Sequence, residues 1–153
     1  MTNELNDVYQ DFEYKEVKHP ERPIEATLTA IVEKEVFGPE NERVSIAFRS
    51  KGIGSEDEVK LKLIDMLLNN STAGLIDLNL NQKQKVQNAG SYTQFLNDYG
   101  MHQFYGNPKS GQSLEEVKDL ILGQIEEVKK GNFDEWLIEA VINDLKLSQM
   151  NPH

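Results

Sequence analysis

The chain contains three histidines and no cysteine, so a zinc site would have to combine these histidines with carboxylates. The histidines are His19, His102 and His153, and they lie far apart in the sequence. A helical zinc site places two histidines and a glutamate on one face, in the order H-E-x-x-H or H-x-x-E-H. Neither order occurs here. We therefore predict no metal ligand in this chain and expect His102 to be an ordinary strand residue, with a metal ligand as the alternative.

Motifs for nucleophilic catalysis and phosphate binding are also absent. There is no thiol, and Ser91 follows Gly90 without the strand-turn-helix context of a G-x-S-x-G serine. The turn at residues 52–54 has two glycines before a helix and could receive an anion. The acidic residues 56–58 would repel a phosphate there, so we interpret the turn as an ordinary connection. The sequence predicts no catalytic residue.

Composition limits the class of protein further. The 153 residues suffice for one domain with a buried core, and no run approaches the ~18 apolar residues of a membrane span. A net charge of −10 argues against a nucleic-acid partner, because counterion release needs a basic surface. The acidic N-terminus lacks the apolar core of a signal peptide, and the localisation stays open.

One segment differs in character from the rest of this acidic chain. Residues 69–106 carry four formal charges that cancel, on Asp77, Lys83, Lys85 and Asp98, together with eleven Asn and Gln residues. Unpaired buried charges are costly, whereas amides both donate and accept hydrogen bonds. We interpret the segment as a sheet region that faces another domain or a chamber, with the acidic helices at 113–130 and 134–150 facing solvent.

The remaining elements follow from periodicity and turn signals. Alternating apolar residues predict strands at 27–37 and 43–50, joined by a turn at 38–41, and extended patterns predict strands at 85–95 and 100–106. A short helix is predicted at 73–80. Residues 1–26 read as an extended leader from a preceding domain, and residues 27–153 as one domain.

Three longer helices are predicted from capping signals. Ser55, Ser113 and Asn132 are each followed three residues later by Glu, which is the spacing of a capping box. Val59 is expected on the inward face of the first helix. Trp136 is expected to pack against the helix at 113–130, because Gly131 leaves only a tight turn between the last two helices. The element order predicts an α+β fold, an antiparallel or mixed sheet with helices on one face.

The order of these elements resembles a known family. Its parts are a helix ending in small residues, GLIDL (74–78), AGSY (89–92), the Ser-led helix QSLEE (112–116) and GNFDEWL (131–137). From about Val44 to Met150 the chain is similar to insulinase/pitrilysin-type zinc metallopeptidases, the inverzincins. Members consist of homologous α+β units, of which one carries H-x-x-E-H and binds zinc, while the others complete a chamber around the peptide.

The resemblance implies a non-catalytic unit and a fragment of a longer polypeptide. Zinc would then lie in the catalytic domain of the parent, and the partners would be the other domains and the peptide substrate. Some members contribute an Arg and a Tyr, seven residues apart, to the substrate. Tyr92 matches the Tyr, but Lys85 stands at the Arg position and lacks the bidentate guanidinium. Lys85 and Tyr92 are therefore the candidate substrate-binding residues, with sheet packing as the alternative for Tyr92.

A second interpretation keeps the fold but not the parent enzyme. A stand-alone protein- or peptide-binding module could use the same sheet to hold its partner. Exposed aromatic residues of the neutral segment would also favour weak association between copies. An upstream H-x-x-E-H helix in the same reading frame would distinguish the domain of a peptidase from the stand-alone module.

Overall fold

The computed structural model describes residues 16–17 and 23–150, with side chains up to residue 147. The chain divides into two units, residues 1–38 and 39–153, and all the described helices and strands lie in the second. The elements are β1 (Val44–Lys51), α1 (Glu56–Leu68), a π-helical turn (Asp77–Asn81), β2 (Asn88–Phe95), β3 (Tyr99–Asn107), α2 (Leu114–Lys130) and α3 (Glu135–Met150). The predicted division between residues 26 and 27 stays a prediction.

The three strands form one antiparallel sheet in the order β1-β3-β2. In the register, Ile46 lies opposite Phe104 of β3, and Ser91 of β2 lies opposite the same phenylalanine. Side chains alternate along β3 between buried and half-buried positions, which is the pattern of a sheet covered on one face. The predicted α+β class is confirmed, and the sheet is antiparallel.

The helices α1 and α2 cover one face of this sheet and enclose the core. Phe104 and Ile121 are almost fully buried between the layers, and each such side chain contributes about 1.5–3 kcal/mol by leaving water. Gly106 lets α2 approach β3 closely, since a Cβ atom at this position would lie 2.5 Å from Cγ1 of Val117. The π-helical turn adds Leu80 to the same core, in place of the regular helix predicted at 73–80.

Only one of the three predicted capping boxes forms. The Ser113 hydroxyl accepts from the backbone N–H of Glu116, whose carboxylate accepts from the N–H of Ser113. Ser55 makes no such bond, because the N–H of Glu58 donates to the Ser55 carbonyl, and the Ser55 hydroxyl has no partner. The Glu58 carboxylate accepts from the N–H of Gly54 and from Lys62 and not from the N–H of Ser55. The capping boxes predicted at Ser55 and Asn132 therefore do not form.

The last helix begins later than its sequence signal. Asn132 donates to the carboxylate of Glu127, and the helix starts at Glu135. It packs chiefly against α1. Trp136 is 55% exposed and donates to Asp134, so its predicted packing against α2 is wrong. Among the α3 residues whose side chains the structure describes, Leu137 and Val141 are the buried ones, because they face the core. Trp136 lies about a quarter turn away from Leu137.

The strand predicted at residues 27–37 is also wrong. These residues have no strand pairing in the described part of the chain, and Ile31, Val36 and Phe37 are each more than 80% exposed. A strand is stabilised by hydrogen bonds to a neighbour and by burial of one face, and neither is provided here. Val59 of α1, expected inward, is 60% exposed. No helix of the described residues is both long and apolar enough to cross a membrane.

Candidate functional site: the open face of the sheet

The face of the sheet opposite the helices is formed by every second residue of each strand. Because directly paired residues point to the same side of an antiparallel sheet, the register assigns this set unambiguously. We call it the open face, and its strand residues are Ser45, Ala47, Arg49, Lys51, Asn88, Gly90, Tyr92, Gln94, Tyr99, Met101, Gln103, Tyr105 and Asn107. Arg43 directly precedes β1 and is counted with them because its guanidinium lies over the ring of Tyr105. All but Gly90 are exposed or half-buried.

The open face has the opposite charge to the protein as a whole. The chain has 26 acidic and 16 basic residues, yet none of the three strands contains an Asp or a Glu. The cations of the open face are Arg43, Arg49 and Lys51, which lie along the β1 side. The acidic residues Glu115 and Asp119 are exposed on α2. The negative charge therefore lies on the helices and loops, and the open face is neutral to basic.

Side chains on the open face hold each other in place. The ring of Tyr105 lies over Gly90 of the neighbouring strand, where a Cβ atom would meet the phenol oxygen at 2.6 Å. The guanidinium carbon of Arg43 lies 4.8 Å from the centre of the Tyr105 ring. Arg49 stacks similarly on Tyr99, at 5.2 Å. Such cation–π contacts contribute about 0.5–1 kcal/mol each at exposed sites. The result is a flat, ordered surface.

The two candidate substrate-binding residues are in different environments. Tyr92 lies within β2 on the open face, opposite Gln103, and its side chain is 42% exposed. Lys85 lies in the turn before β2 and is exposed, so the strand predicted at 85–95 begins later than expected and does not include it. Its carbonyl accepts a hydrogen bond from Gln112, which fixes the turn but leaves the ammonium group in solvent. No hydrogen bond or ring contact joins Lys85 to Tyr92, and their role in binding substrate stays a prediction.

The amides of the neutral segment bond mainly within the domain. The Asn81 side chain donates to the carbonyl of Ala89 at 2.8 Å and accepts from its N–H at 2.9 Å. The Asn69 amide donates to the carbonyl of Ser91 at 2.9 Å. Asn79 on the π-helical turn donates to Gln124 on α2. These residues therefore use their amides within the domain, and not toward the other domain or chamber that the segment was predicted to face.

Asn70 orders the connection between α1 and the π-helical turn. Its carbonyl oxygen accepts from the N–H groups of Thr72, Ala73 and Gly74, at 2.7–3.1 Å. Its own N–H donates to the buried carboxylate of Asp77 at 3.0 Å. A local side-chain cap of this kind satisfies N–H groups that no helix or strand would pair. The amide-rich composition thus builds this irregular part of the core.

A buried polar cluster joins α1 to the sheet on its covered face. The Oδ1 atom of Asp65 accepts from the Ser91 hydroxyl at 2.6 Å and lies 2.9 Å from Nε2 of His102. Ser91 and His102 are 6% and 4% exposed. Serine and histidine share one carboxylate oxygen here, so the histidine does not reach the serine as a base would in a catalytic triad. The arrangement is suited to holding the layers together.

The same cluster does not fit a zinc ion. Zinc in a catalytic site needs three protein ligands, and Asp65 and His102 are two, both already hydrogen-bonded within the domain. No group of three His, Cys, Asp or Glu residues comes together in the part of the chain that the structure describes. His19 and His153 lie outside the described residues. Asp65 was not predicted as part of a site, and its one signal in the sequence is its place inside the apolar run LKLIDMLL.

The comparisons with known proteins agree with this fold. A family model described as the Peptidase M16 inactive domain matches residues 1–145. A protease from Helicobacter pylori is similar in structure, with a TM-score of 0.65 and 18% identity over 71% of this chain and 26% of that one. The inactive peptidase domain of a proposed zinc protease from Bordetella parapertussis is similar at 0.58 and 17%, over 71% of this chain and 60% of that domain's chain.

Both solved structures are longer than this chain, which spans about a quarter of the first and 60% of the second. Their identity to it is low, so they establish the fold alone. No curated protein sequence matches the chain significantly.

Proposed function

This chain belongs to the family of peptidase M16 inactive domains, and we propose that it packs against the catalytic domain of a zinc-dependent metallopeptidase and helps to enclose the peptide substrate. The observation that carries the proposal is the family match over residues 1–145 of a chain that contains no H-x-x-E-H sequence. The predicted resemblance to insulinase/pitrilysin-type peptidases is confirmed at the level of the family.

The chemistry of such a peptidase would come from another domain. Zinc bound there would activate a water molecule and polarise the scissile carbonyl. The residues of this chain contribute neither a nucleophile nor a group of three ligands in the part that the structure describes. Their role in the proposal is structural: the sheet, backed by α1 and α2, packs with its open face against a neighbouring domain and so supports the wall of the chamber.

The open face supports the packing part of this proposal. It is ordered by its own contacts and is nearly free of large apolar side chains, with Tyr92, Met101 and the two stacked tyrosines as the exceptions. Interfaces between domains of one chain are more polar than obligate interfaces, and this composition fits such an interface. Tyr92 and Lys85 are then placed to contact a peptide only if the chamber extends to the β2 side of the sheet.

The test uses the complete polypeptide. We expect it to contain one equivalent of zinc, to cleave peptides, and to keep both properties in the variant His102→Ala if that variant remains folded. Removal of residues 39–153 should abolish cleavage of long peptides while the zinc stays bound. Unimpaired cleavage after this removal would refute the role in the chamber. Zinc bound by the 153-residue chain, and lost in His102→Ala, would refute the non-catalytic assignment.

The stand-alone binding module is the second candidate function, and the exposure of the open face supports it. The two candidate functions predict different genes: the first requires a catalytic domain in the same reading frame, and the second does not. If the reading frame contains no catalytic domain, the open face would be the binding surface for a separate protein or peptide. Purification of the natural protein and measurement of its mass would distinguish the two.

A further inference from the structure

We propose that the open face is covered, in the complete polypeptide, by a carboxylate-bearing surface of another domain, which pairs with Arg43 and Lys51. This inference rests on the proposed function and adds the chemistry of the partner surface. It starts from a contrast in charge, because the three strands lack any acidic residue in a protein whose net charge is −10. Complementary potentials are the usual arrangement across an interface.

The two cations are presented for pairing. Arg43 and Lys51 are exposed, and neither lies within ion-pair distance of a carboxylate among the described residues. The guanidinium carbon of Arg43 lies over the ring of Tyr105, 4.8 Å from its centre. A stacked guanidinium keeps its N–H groups at its edge, where they can bind a carboxylate in the bidentate manner. Holding the side chain in advance also lowers the entropic cost of binding.

The size of the face favours a domain of the same polypeptide over a second copy. Three strands at about 4.8 Å spacing and eight residues at about 3.3 Å rise give an area of roughly 380 Å². A stable complex between separate proteins buries about 800 Å² per partner. Interfaces between domains of one chain bury about 600–1,500 Å² in total, which is roughly 300–750 Å² per side. The open face fits the smaller class, because a covalent link raises the effective concentration of the partner.

The shape of the face favours a domain over a peptide. Peptide sites are grooves, pockets or free strand edges, where an extended chain gains backbone hydrogen bonds. The open face is flat, with Tyr105 filling the space above Gly90 and Gln103 bonded to Ser45 at 2.8 Å. The backbone groups of the central strand β3 are paired on both sides, so an extended peptide could gain backbone hydrogen bonds only at the β1 or β2 border of the sheet and not on the face itself. A side-chain surface of a neighbouring domain is the occupant that matches it.

The experiment is hydroxyl-radical footprinting of Tyr92 in the complete polypeptide. Wild type is compared with Arg43→Glu/Lys51→Glu, with Arg43→Gln/Lys51→Gln, and with the control Lys60→Glu/Lys129→Glu. The control makes the same change of charge at exposed helix residues. Like charges opposed across an interface cost several kcal/mol, so we expect the first variant to lower the ratio of docked to undocked protein by about tenfold or more and to expose Tyr92.

We expect Tyr92 to be oxidised slowly in wild type and in the control, fast in the Glu variant, and at an intermediate rate in the Gln variant. High salt should speed the oxidation of Tyr92 in wild type. Unchanged protection in the Glu variant would overturn the inference while leaving the proposed function intact, since peptide cleavage is measured separately. Protection that depends on protein concentration would also overturn it, in favour of a second copy. Equal, fast oxidation in all four proteins would show that the face is uncovered.

Discussion

The Nε2 atom of His102 on β3 lies 2.9 Å from the Oδ1 atom of Asp65 on α1, and Ser91 on β2 donates to the same oxygen at 2.6 Å. One carboxylate therefore connects a helix with two strands. Both donors are buried, so neither could turn to solvent if the carboxylate were lost. Because hydrogen bonds are directional, the cluster fixes how α1 is oriented on the sheet, which apolar packing alone does not do.

Asp65→Ala should destabilise the domain strongly. It would leave Ser91 and His102 without their acceptor, and a buried unsatisfied group costs about 1–3 kcal/mol, so we expect a loss of about 2–4 kcal/mol. Urea unfolding followed by circular dichroism measures it. The control Asp119→Ala removes an exposed carboxylate of α2 and should change the free energy of unfolding by less than about 0.5 kcal/mol. Equal, small effects would mean that water replaces the lost acceptor.

Gly106→Ala and Gly123→Ala should have opposite effects on stability. A Cβ atom at Gly106 would lie 2.5 Å from Val117, and such overpacking costs about 1–3 kcal/mol. At Gly123, within α2, nothing lies within 4 Å, and alanine should stabilise by about 0.5–1 kcal/mol through its helix propensity. Thermal unfolding of the two variants measures the difference, and stabilisation by Gly106→Ala would contradict the close approach of α2 to β3.

Trp136→Ala should cost little in this chain. The indole is 55% exposed and bonds to the exposed Asp134, so we expect a loss below about 1 kcal/mol. Phe104→Ala, in the core, should cost about 3–5 kcal/mol. Denaturant titration compares the two, and acrylamide quenching of the indole checks its exposure directly. A loss of several kcal/mol in Trp136→Ala would place the indole in the core, as the sequence predicted.

Glu58 should contribute stability that disappears in acid. The hydrogen bond from Lys62, and next the one from the N–H of Gly54, lowers the pKa of its carboxyl below the ordinary 4.5. A carboxyl with a lowered pKa in the folded state stabilises the fold above its ordinary pKa, and this contribution is lost as the pH falls through the lowered value. The stability difference between wild type and Glu58→Gln should thus shrink below about pH 4.5. A difference that is constant from pH 3 to 7 would contradict the bonds at Gly54 and Lys62.

Local signals predicted the elements that depend on local interactions. The capping box at Ser113 and the left-handed Gly131 delimit α2 as expected, because both ends are fixed within a few residues. The prediction of a strand at 27–37 was wrong, because alternation of apolar residues shows only that one face could be buried. It does not show that an adjacent strand is present to pair with. The Asp65 cluster could not be predicted, since its residues lie 26 and 37 positions apart and meet only when the layers assemble. The residues of the open face are set by the register of the strands, which the sequence alone does not determine.

The Asn69 and Asn81 side chains have a consequence for association between chains. Alternate residues of β2 direct their backbone groups away from β3, and at Ala89 and Ser91 these groups are bonded to the two amides. Asn81 supplies both a donor and an acceptor to Ala89, as a residue of a fourth strand would. The first half of this border is therefore closed to the cross-β pairing that unprotected edges invite. Replacing the two amides with alanine would leave these backbone groups of β2 open to pairing with a strand of another chain.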